Sequence, residues 1–146
     1  PVGAMIPDVV AQAGGNADEA GKIIMGGSMM GVALDRLDTS IIKNNNAILV
    51  FSKQEAEIPQ ETQCIRCGRC VEACPMHLMP TQLDVASRNK DVDELNDFHV
   101  MDCIECGCCT FVCPAKRYLV QSIRAGKGYV RLAQAKAQAQ SKEAAK

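Results

Sequence analysis

The sequence predicts an α+β chain in two parts: a short apolar segment with one helix and a few strands, then a mainly helical, cysteine-rich domain. Three observations carry this. All nine cysteines fall between Cys64 and Cys113, so the chain before them is built without thiols. Two short apolar runs, Lys22 to Met25 and Ala47 to Phe51, read as buried strands, whereas β-type alternation is nearly absent from 64 to 125. Aromatic residues make up only 3% of the 146-residue chain, and Trp is missing. A large aliphatic–aromatic core is therefore not available, and something else must help hold the fold together.

Composition narrows the function classes. The 47% hydrophobic content includes the nine cysteines and many alanines. Sixteen basic residues against seventeen acidic ones give a net charge of −1, which does not suit a chain that wraps nucleic acid or sits on anionic lipid by charge alone. No apolar run approaches the roughly 18 residues of a membrane span, and no cationic, apolar leader is visible. A soluble chain is expected. It starts Pro1-Val2-Gly3 rather than with Met, which leads us to expect a fragment or a processed product.

From the N-terminus, Met5, Ile6, Val9 and Val10 recur at helical spacing within Val2 to Gln12, and Gly14-Gly15 should stop that helix. Between the two strand-like runs lies Gly26-Gly27-Ser28-Met29-Met30-Gly31. It lacks the Lys-Ser/Thr of a phosphate-binding loop and the spacing of a dinucleotide fingerprint, so we read it as a tight turn packed on a neighbour. Met25, Met29 and Met30 are read as packing or interface residues. Residues 52–62 look like a polar linker containing Pro59.

The cysteines carry the chemistry. Their spacing reads Cys64-x2-Cys67-x2-Cys70-x3-Cys74-Pro75, and again Cys103-x2-Cys106-x2-Cys109-x3-Cys113-Pro114. Two copies of this run form the signature of bacterial two-cluster iron–sulfur proteins. Three thiolates two residues apart on a tight loop can reach three iron corners of one cubane. The fourth, followed by Pro, is directed away and ligates the other cluster. The expected ligand sets are thus Cys64, Cys67, Cys70 and Cys113 for one [4Fe–4S] cluster, and Cys103, Cys106, Cys109 and Cys74 for the second. Gly68 and Gly107, between the second and third ligands, should take left-handed turns or allow close backbone approach. Pro75 and Pro114 should each start a helix directly. A disulfide scaffold does not suit nine cysteines in C-x-x-C runs. A zinc ribbon leaves the Cys70/Cys74 and Cys109/Cys113 pairs unexplained, and neither His77 nor His99 stands where a Rieske centre needs one. Cys108 falls outside both runs and is expected to pack as a small side chain beside a cluster.

Within the domain assigned to residues 63–130, Thr81 to Arg88 reads as a short helix with Thr81 near its start. Asp91 to Phe98 reads as another, acidic in its first turn. A third helix is expected from Ala115 to Ala125, stopped by Gly126. Arg66, Arg69, Lys116 and Arg117 lie in or just after the loops, where cations raise a cluster's potential; the alternative is ordinary surface charge. Residues 131–146 are Ala/Gln/Lys-rich with no apolar stripe, which predicts a frayed helix or a disordered tail.

Several strings together point to one family: Lys22-Ile23-Ile24-Met25-Gly26-Gly27-Ser28-Met29-Met30-Gly31-Val32-Ala33, the run Cys64 to Pro75, and the run Cys103 to Pro114. The chain resembles the C-terminal part of the C subunit of the Rnf/Rsx ion-translocating electron-transport complexes. That resemblance implies that residues 1–51 are part of a soluble-ligand-binding β-grasp domain, short of one or more strands, followed by a helical dicluster ferredoxin domain. It also implies a peripheral subunit at the cytoplasmic face of the bacterial inner membrane, relaying electrons between NADH and the other subunits of an ion-translocating oxidoreductase (a translocase). FMN and NADH would bind an upstream domain, and no residue here is assigned to them; no catalytic residue is assigned either. Two rivals remain at this stage: a free-standing dicluster ferredoxin or the iron–sulfur subunit of another dehydrogenase, and a module whose clusters are purely structural. No aromatic-plus-basic face suggests a nucleic-acid partner.

Overall fold

The computed structural model describes residues 2–144, with side chains through 141, so the last two residues of the predicted tail lie outside it. The chain divides into two compact units, one ending at Pro59 and one beginning at Gln60.

In the first unit, helix α1 (Ile6–Gln12) begins with a proline in its first turn, where the missing N–H costs nothing. It buries Ile6 and Val10, four residues apart on one face. Gly14, at φ 82°, then takes the left-handed conformation that ends the helix. Strands β1 (Lys22–Met25), β2 (Val32–Ala33) and β3 (Ile48–Phe51) form an antiparallel sheet in the order β2-β1-β3. Ile24 faces Ala33 on one side and Leu49 on the other. Ile23 turns into a core shared with Ile6, Val10 and Ala17, against which Met25, Leu37 and Ile48 pack. The Gly-rich loop is a tight turn, as expected: Gly31 N–H donates to the Gly27 carbonyl at 2.7 Å. A Cβ on Gly31 would lie 2.5 Å from both Gly27 O and Ile24 Cγ2, so only glycine fits. Of the three methionines, Met25 packs on the core, while Met29 and Met30 are exposed. Beside β3 an apolar groove is lined by Val9, Ala13, Ile48 and Val50.

The second unit contains no strand among its described residues. Its elements are α2 (Arg69–Glu72), α3 (Pro80–Asn89), α4 (Val92–Asp97), a 3₁₀ turn (Val100–Asp102), α5 (Cys108–Phe111) and α6 (Leu119–Ala144). Its backbone is an internal repeat. Arg66 and Glu105 (φ 54° and 58°), Gly68 and Gly107 (77° and 83°), and His77 and Lys116 (53° and 52°) occupy the same left-handed positions in the two halves. Helices α3 and α6 follow at matching points.

Two sequence expectations change. Pro75 and Pro114 do not start helices. Each heads a turn closed by His77 N–H to Cys74 O (3.1 Å) or Lys116 N–H to Cys113 O (3.2 Å), and the helices begin at Pro80 and Leu119. Thr81 does lie near the start of α3, directly after Pro80, and no side chain caps that helix. Gly126 does not stop a helix: α6 runs through it to Ala144, carrying the expected tail as helix with exposed Ala, Gln and Lys side chains through 141. The reason lies in packing. A Cβ on Gly126 would meet Ser87 Oγ at 2.3 Å and Leu95 Cδ2 at 3.0 Å, so the glycine marks where α6 presses against α3. Ser87 and Gly126 are themselves equivalent positions of the repeat. Around them lies a core of Leu78, Leu83, Ala86, Leu95, Ile123 and Val130. Helix α4 is acidic in its first turn as expected and is also capped, with Asp91 accepting from Glu94 N–H at 3.0 Å. Among the described residues no helix is long and apolar enough to cross a membrane.

Two alanine substitutions two residues apart on α6 should therefore act in opposite directions. Gly128 has nothing within 4 Å of its missing Cβ, so Gly128→Ala should stabilise by about 1 kcal/mol through helix propensity. Gly126→Ala meets the α3 contact, and overpacking of about 1–3 kcal/mol outweighs that gain. Thermal midpoints of the two variants, compared at equal iron content, should move up and down respectively.

Candidate metal centres

The two cysteine loops are built alike. Gly68 and Gly107 precede the one-turn helices α2 and α5, whose early amides turn back onto them: Val71 N–H to Gly68 O at 2.9 Å, and Phe111 N–H to Gly107 O at 3.0 Å. These left-handed glycines stand where the spacing placed them. The left-handed Arg66, Glu105, His77 and Lys116 were not foreseen; a side chain in that region costs of order 1–3 kcal/mol and persists only where surroundings over-determine it. The loop conformation also aims amides at sulfur. Arg66 N–H donates to Cys64 Sγ, Glu105 N–H to Cys103 Sγ and Leu78 N–H to Cys74 Sγ, each at 3.4 Å.

Each half contributes to two cavities. One, with ≈ 330 Å³ of empty space, is lined by Cys64, Cys67, Cys70 and Cys113, with Arg117 and Leu119 on its wall. The other, with ≈ 350 Å³, is lined by Cys74, Cys103, Cys106 and Cys109, with Leu78 and Ile123. So three cysteines of each cavity come from one loop, and the fourth comes from the end of the other motif. The matching four-cysteine linings suit two copies of one group. Backbone bonds explain how Cys113 arrives beside the first loop: Thr62 N–H donates to Ala115 O at 3.0 Å, and the Thr62 hydroxyl reaches the same carbonyl at 3.3 Å. Cys108 lies outside both linings, half-buried.

The donor chemistry fits a thiolate-ligated iron–sulfur group. All nine cysteines are free. Among the described residues no three Cys, His, Asp or Glu side chains converge closely enough to hold a single ion; the thiols are instead spread around cavity walls, as a polynuclear group requires. Burial pushes the Cys70 and Cys103 thiols up and the Cys109 thiol up to about 11. The Cys108 thiol is also raised, chiefly by its hydrogen bond with Cys106. A thiolate is costly at such sites without a nearby cationic metal, which deprotonates a coordinating thiol outright.

Comparison with known proteins agrees. Residues 63–116 match the family of 4Fe-4S dicluster domains. This segment is a 4Fe–4S dicluster domain, and its cofactors are two [4Fe–4S] clusters. Over most of its length the chain has relatives named as the C subunits of ion-translocating complexes. It is 45% identical over 126 residues to the C subunit of a Na(+)-translocating ferredoxin:NAD(+) oxidoreductase complex from Acetobacterium woodii, a match covering 86% of this chain and 28% of that protein. It is 46% identical over 124 residues to the corresponding subunit of a proton-translocating complex from Clostridium ljungdahlii, covering 84% of this chain and 27% of that protein. The C subunit of an ion-translocating oxidoreductase complex from Methanosarcina acetivorans is 44% identical over 125 residues. The chain thus spans little more than a quarter of the length of these relatives, and over most of its own length it is a homologue of these C subunits.

The dicluster domain is tied together by a buried carboxylate that the sequence did not flag. Asp84, 1% exposed on α3, accepts from Arg88 Nε at 2.8 Å and from Arg117 Nε at 3.1 Å, and both arginines also face Glu61. Burial alone would raise the Asp84 pKa, but the hydrogen bonds from Arg88 and Arg117 outweigh it and hold the carboxyl below its usual range. Of the four cations that the sequence placed near the clusters, Arg117 lines a cavity, while Arg66, Arg69 and Lys116 are exposed. Asp84→Asn should cost about 3 kcal/mol, because it leaves Arg117 facing a neutral amide beside the first cavity. Since the folded-state pKa is depressed, the stabilisation is fully present above about pH 4 and is lost as pH falls through the lowered value. The difference in thermal midpoint between wild type and Asp84→Asn should be constant above pH 4 and shrink below it.

Proposed function

We propose that this chain is the electron-relay portion of a larger membrane-associated complex that couples electron transfer of the NADH/ferredoxin type to ion translocation. Cys64, Cys67, Cys70 and Cys113 hold one [4Fe–4S] cluster, and Cys103, Cys106, Cys109 and Cys74 hold the other. One observation carries the ligand sets: each four-cysteine cavity is closed by a cysteine from the opposite motif. The clusters supply reversible one-electron chemistry. The residues of the chain position and protect it: the left-handed loops direct amides at sulfur, and Leu78, Leu119 and Ile123 keep water from the cavity walls.

The complex and its partners rest on the relatives, whose names describe ferredoxin:NAD(+) oxidoreductases that move Na(+) or protons. On that reading the chain works at the cytoplasmic face of the bacterial inner membrane, peripheral and held there by the other subunits, while FMN and NADH bind a part of the same polypeptide outside this chain. We read residues 1–51 as a partial β-grasp. The antiparallel order β2-β1-β3 and the open apolar groove beside the edge strand β3 support that reading.

Anaerobically reconstituted protein should contain about eight iron and eight acid-labile sulfide per chain and give, after dithionite, the EPR signature of two reduced cubanes. Zinc in place of iron, or iron that does not cycle reversibly, would remove the relay. Cys108→Ala should leave the iron count unchanged; a loss of about four irons would make Cys108 a ligand in place of Cys109.

A further inference from the structure

Lys127 lies on α6 and is only 7% exposed. Its Nζ donates to the Cys103 carbonyl at 2.7 Å and to Glu105 Oε1 at 2.9 Å, while Arg124 Nε holds the other Glu105 oxygen at 2.8 Å. Both ends of this arrangement lie on the second cysteine loop. Two cations meet one carboxylate there, so this three-residue network, set against the loop, carries one positive charge in excess.

The equivalent place in the first half is different. The position matching Lys127 is Arg88, and the position matching Glu105 is Arg66. Arg88 and Arg117 are met by Asp84 and Glu61, two charges against two, and Arg66 is exposed to water and salt. The ligands differ in exposure in the same sense: Cys64 and Cys67 are exposed, whereas Cys103 and Cys106 are half-buried. Reduction adds one negative charge to a cluster, and a site with less water must stabilise that charge by other means. Burying an ammonium is itself costly, and an apolar side chain would pack α6 against the loop without that cost. The ammonium therefore has an electrostatic part to play.

We propose that Lys127 sets the reduction potential of the cluster held by the second loop, through its contacts with the Cys103 carbonyl and Glu105. It is a positioning residue and not a ligand. The event it biases is the transfer of one electron from a low-potential donor to the cluster, with no bond made or broken and no proton moved. The inference rests on the reading that Cys103, Cys106 and Cys109 hold a cluster, and does not depend on which cysteine completes it.

The test is an EPR-monitored redox titration of the full reconstituted chain, with dithionite as reductant and Cys106→Ser used to identify the second-loop signal. Lys127→Gln should lower the potential of that signal alone. Its reduced-to-oxidised ratio at fixed potential should fall about tenfold, equivalent to about 59 mV for a one-electron couple. Lys127→Arg keeps the charge and should restore the ratio. An unchanged potential at full iron content, or an equal shift of both signals, would overturn the proposal. Should Lys127→Gln fail to load iron, Glu105→Gln takes its place: it leaves Lys127 and Arg124 unopposed and should raise the same potential, and no shift would count against the proposal. If Cys106→Ser removed no signal at all, the cluster reading beneath the proposal would fail instead.

Discussion

Each cysteine cavity in this chain is closed from the far side of an internal repeat, and much of the second unit's structure serves that crossing. Cys113 reaches the first loop because Thr62 is bonded to the backbone just beyond it, and because Arg117 is held by Asp84 across from α3. Cys74 reaches the second loop through a turn whose next amide caps its own sulfur. Helices α3 and α6 meet at Ser87 and Gly126, the same position in each half, where no Cβ would fit on Gly126. A chain with 3% aromatic residues has little apolar area with which to hold such a shape. With the proposed crossed ligation, each cluster cross-links both halves, and metal–thiolate bonds supply cohesion that the small core does not.

The repeat is close in backbone and unequal in charge. The same left-handed residue that is Arg66 in one loop is Glu105 in the other, and the same helical position is Arg88 in one half and Lys127 in the other. In the first half Arg88 and Arg117 are balanced by Asp84 and Glu61, while Arg66 faces water; in the second Lys127 and Arg124 exceed Glu105 by one charge against the loop. The direction of flow through two clusters is set by donor and acceptor, but a difference between their potentials biases which cluster holds the electron, and duplicated backbone geometry cannot by itself supply that difference. Charge at equivalent positions can.

The site was far more legible in the sequence than its supports. Spacing alone grouped the cysteines as the two cavity linings group them, because thiols have few other reasons to recur at such intervals. The left-handed Gly68 and Gly107 followed from the same logic. Gly126 was misread because a glycine in a helix-forming run signals a stop locally, while here its cause is a neighbour, Ser87, distant in sequence. Strand β2 was missed: two exposed residues carry no periodicity. Asp84, Arg88 and Lys127 were not singled out in the sequence, since burial of a charge is decided by the partner helix. Aligning the two halves on their cysteines would have paired Arg88 with Lys127 and drawn attention to both.

The central claim, that each cluster is completed by the opposite motif, is tested most directly by EPR of Cys113→Ser after anaerobic reconstitution and dithionite reduction, read against Cys67→Ser and Cys106→Ser. The crossed arrangement predicts that Cys113→Ser removes or alters the signal lost in Cys67→Ser and leaves the signal lost in Cys106→Ser intact. Loss of the Cys106→Ser signal instead would mean that each motif holds its own cluster, and would contradict the account.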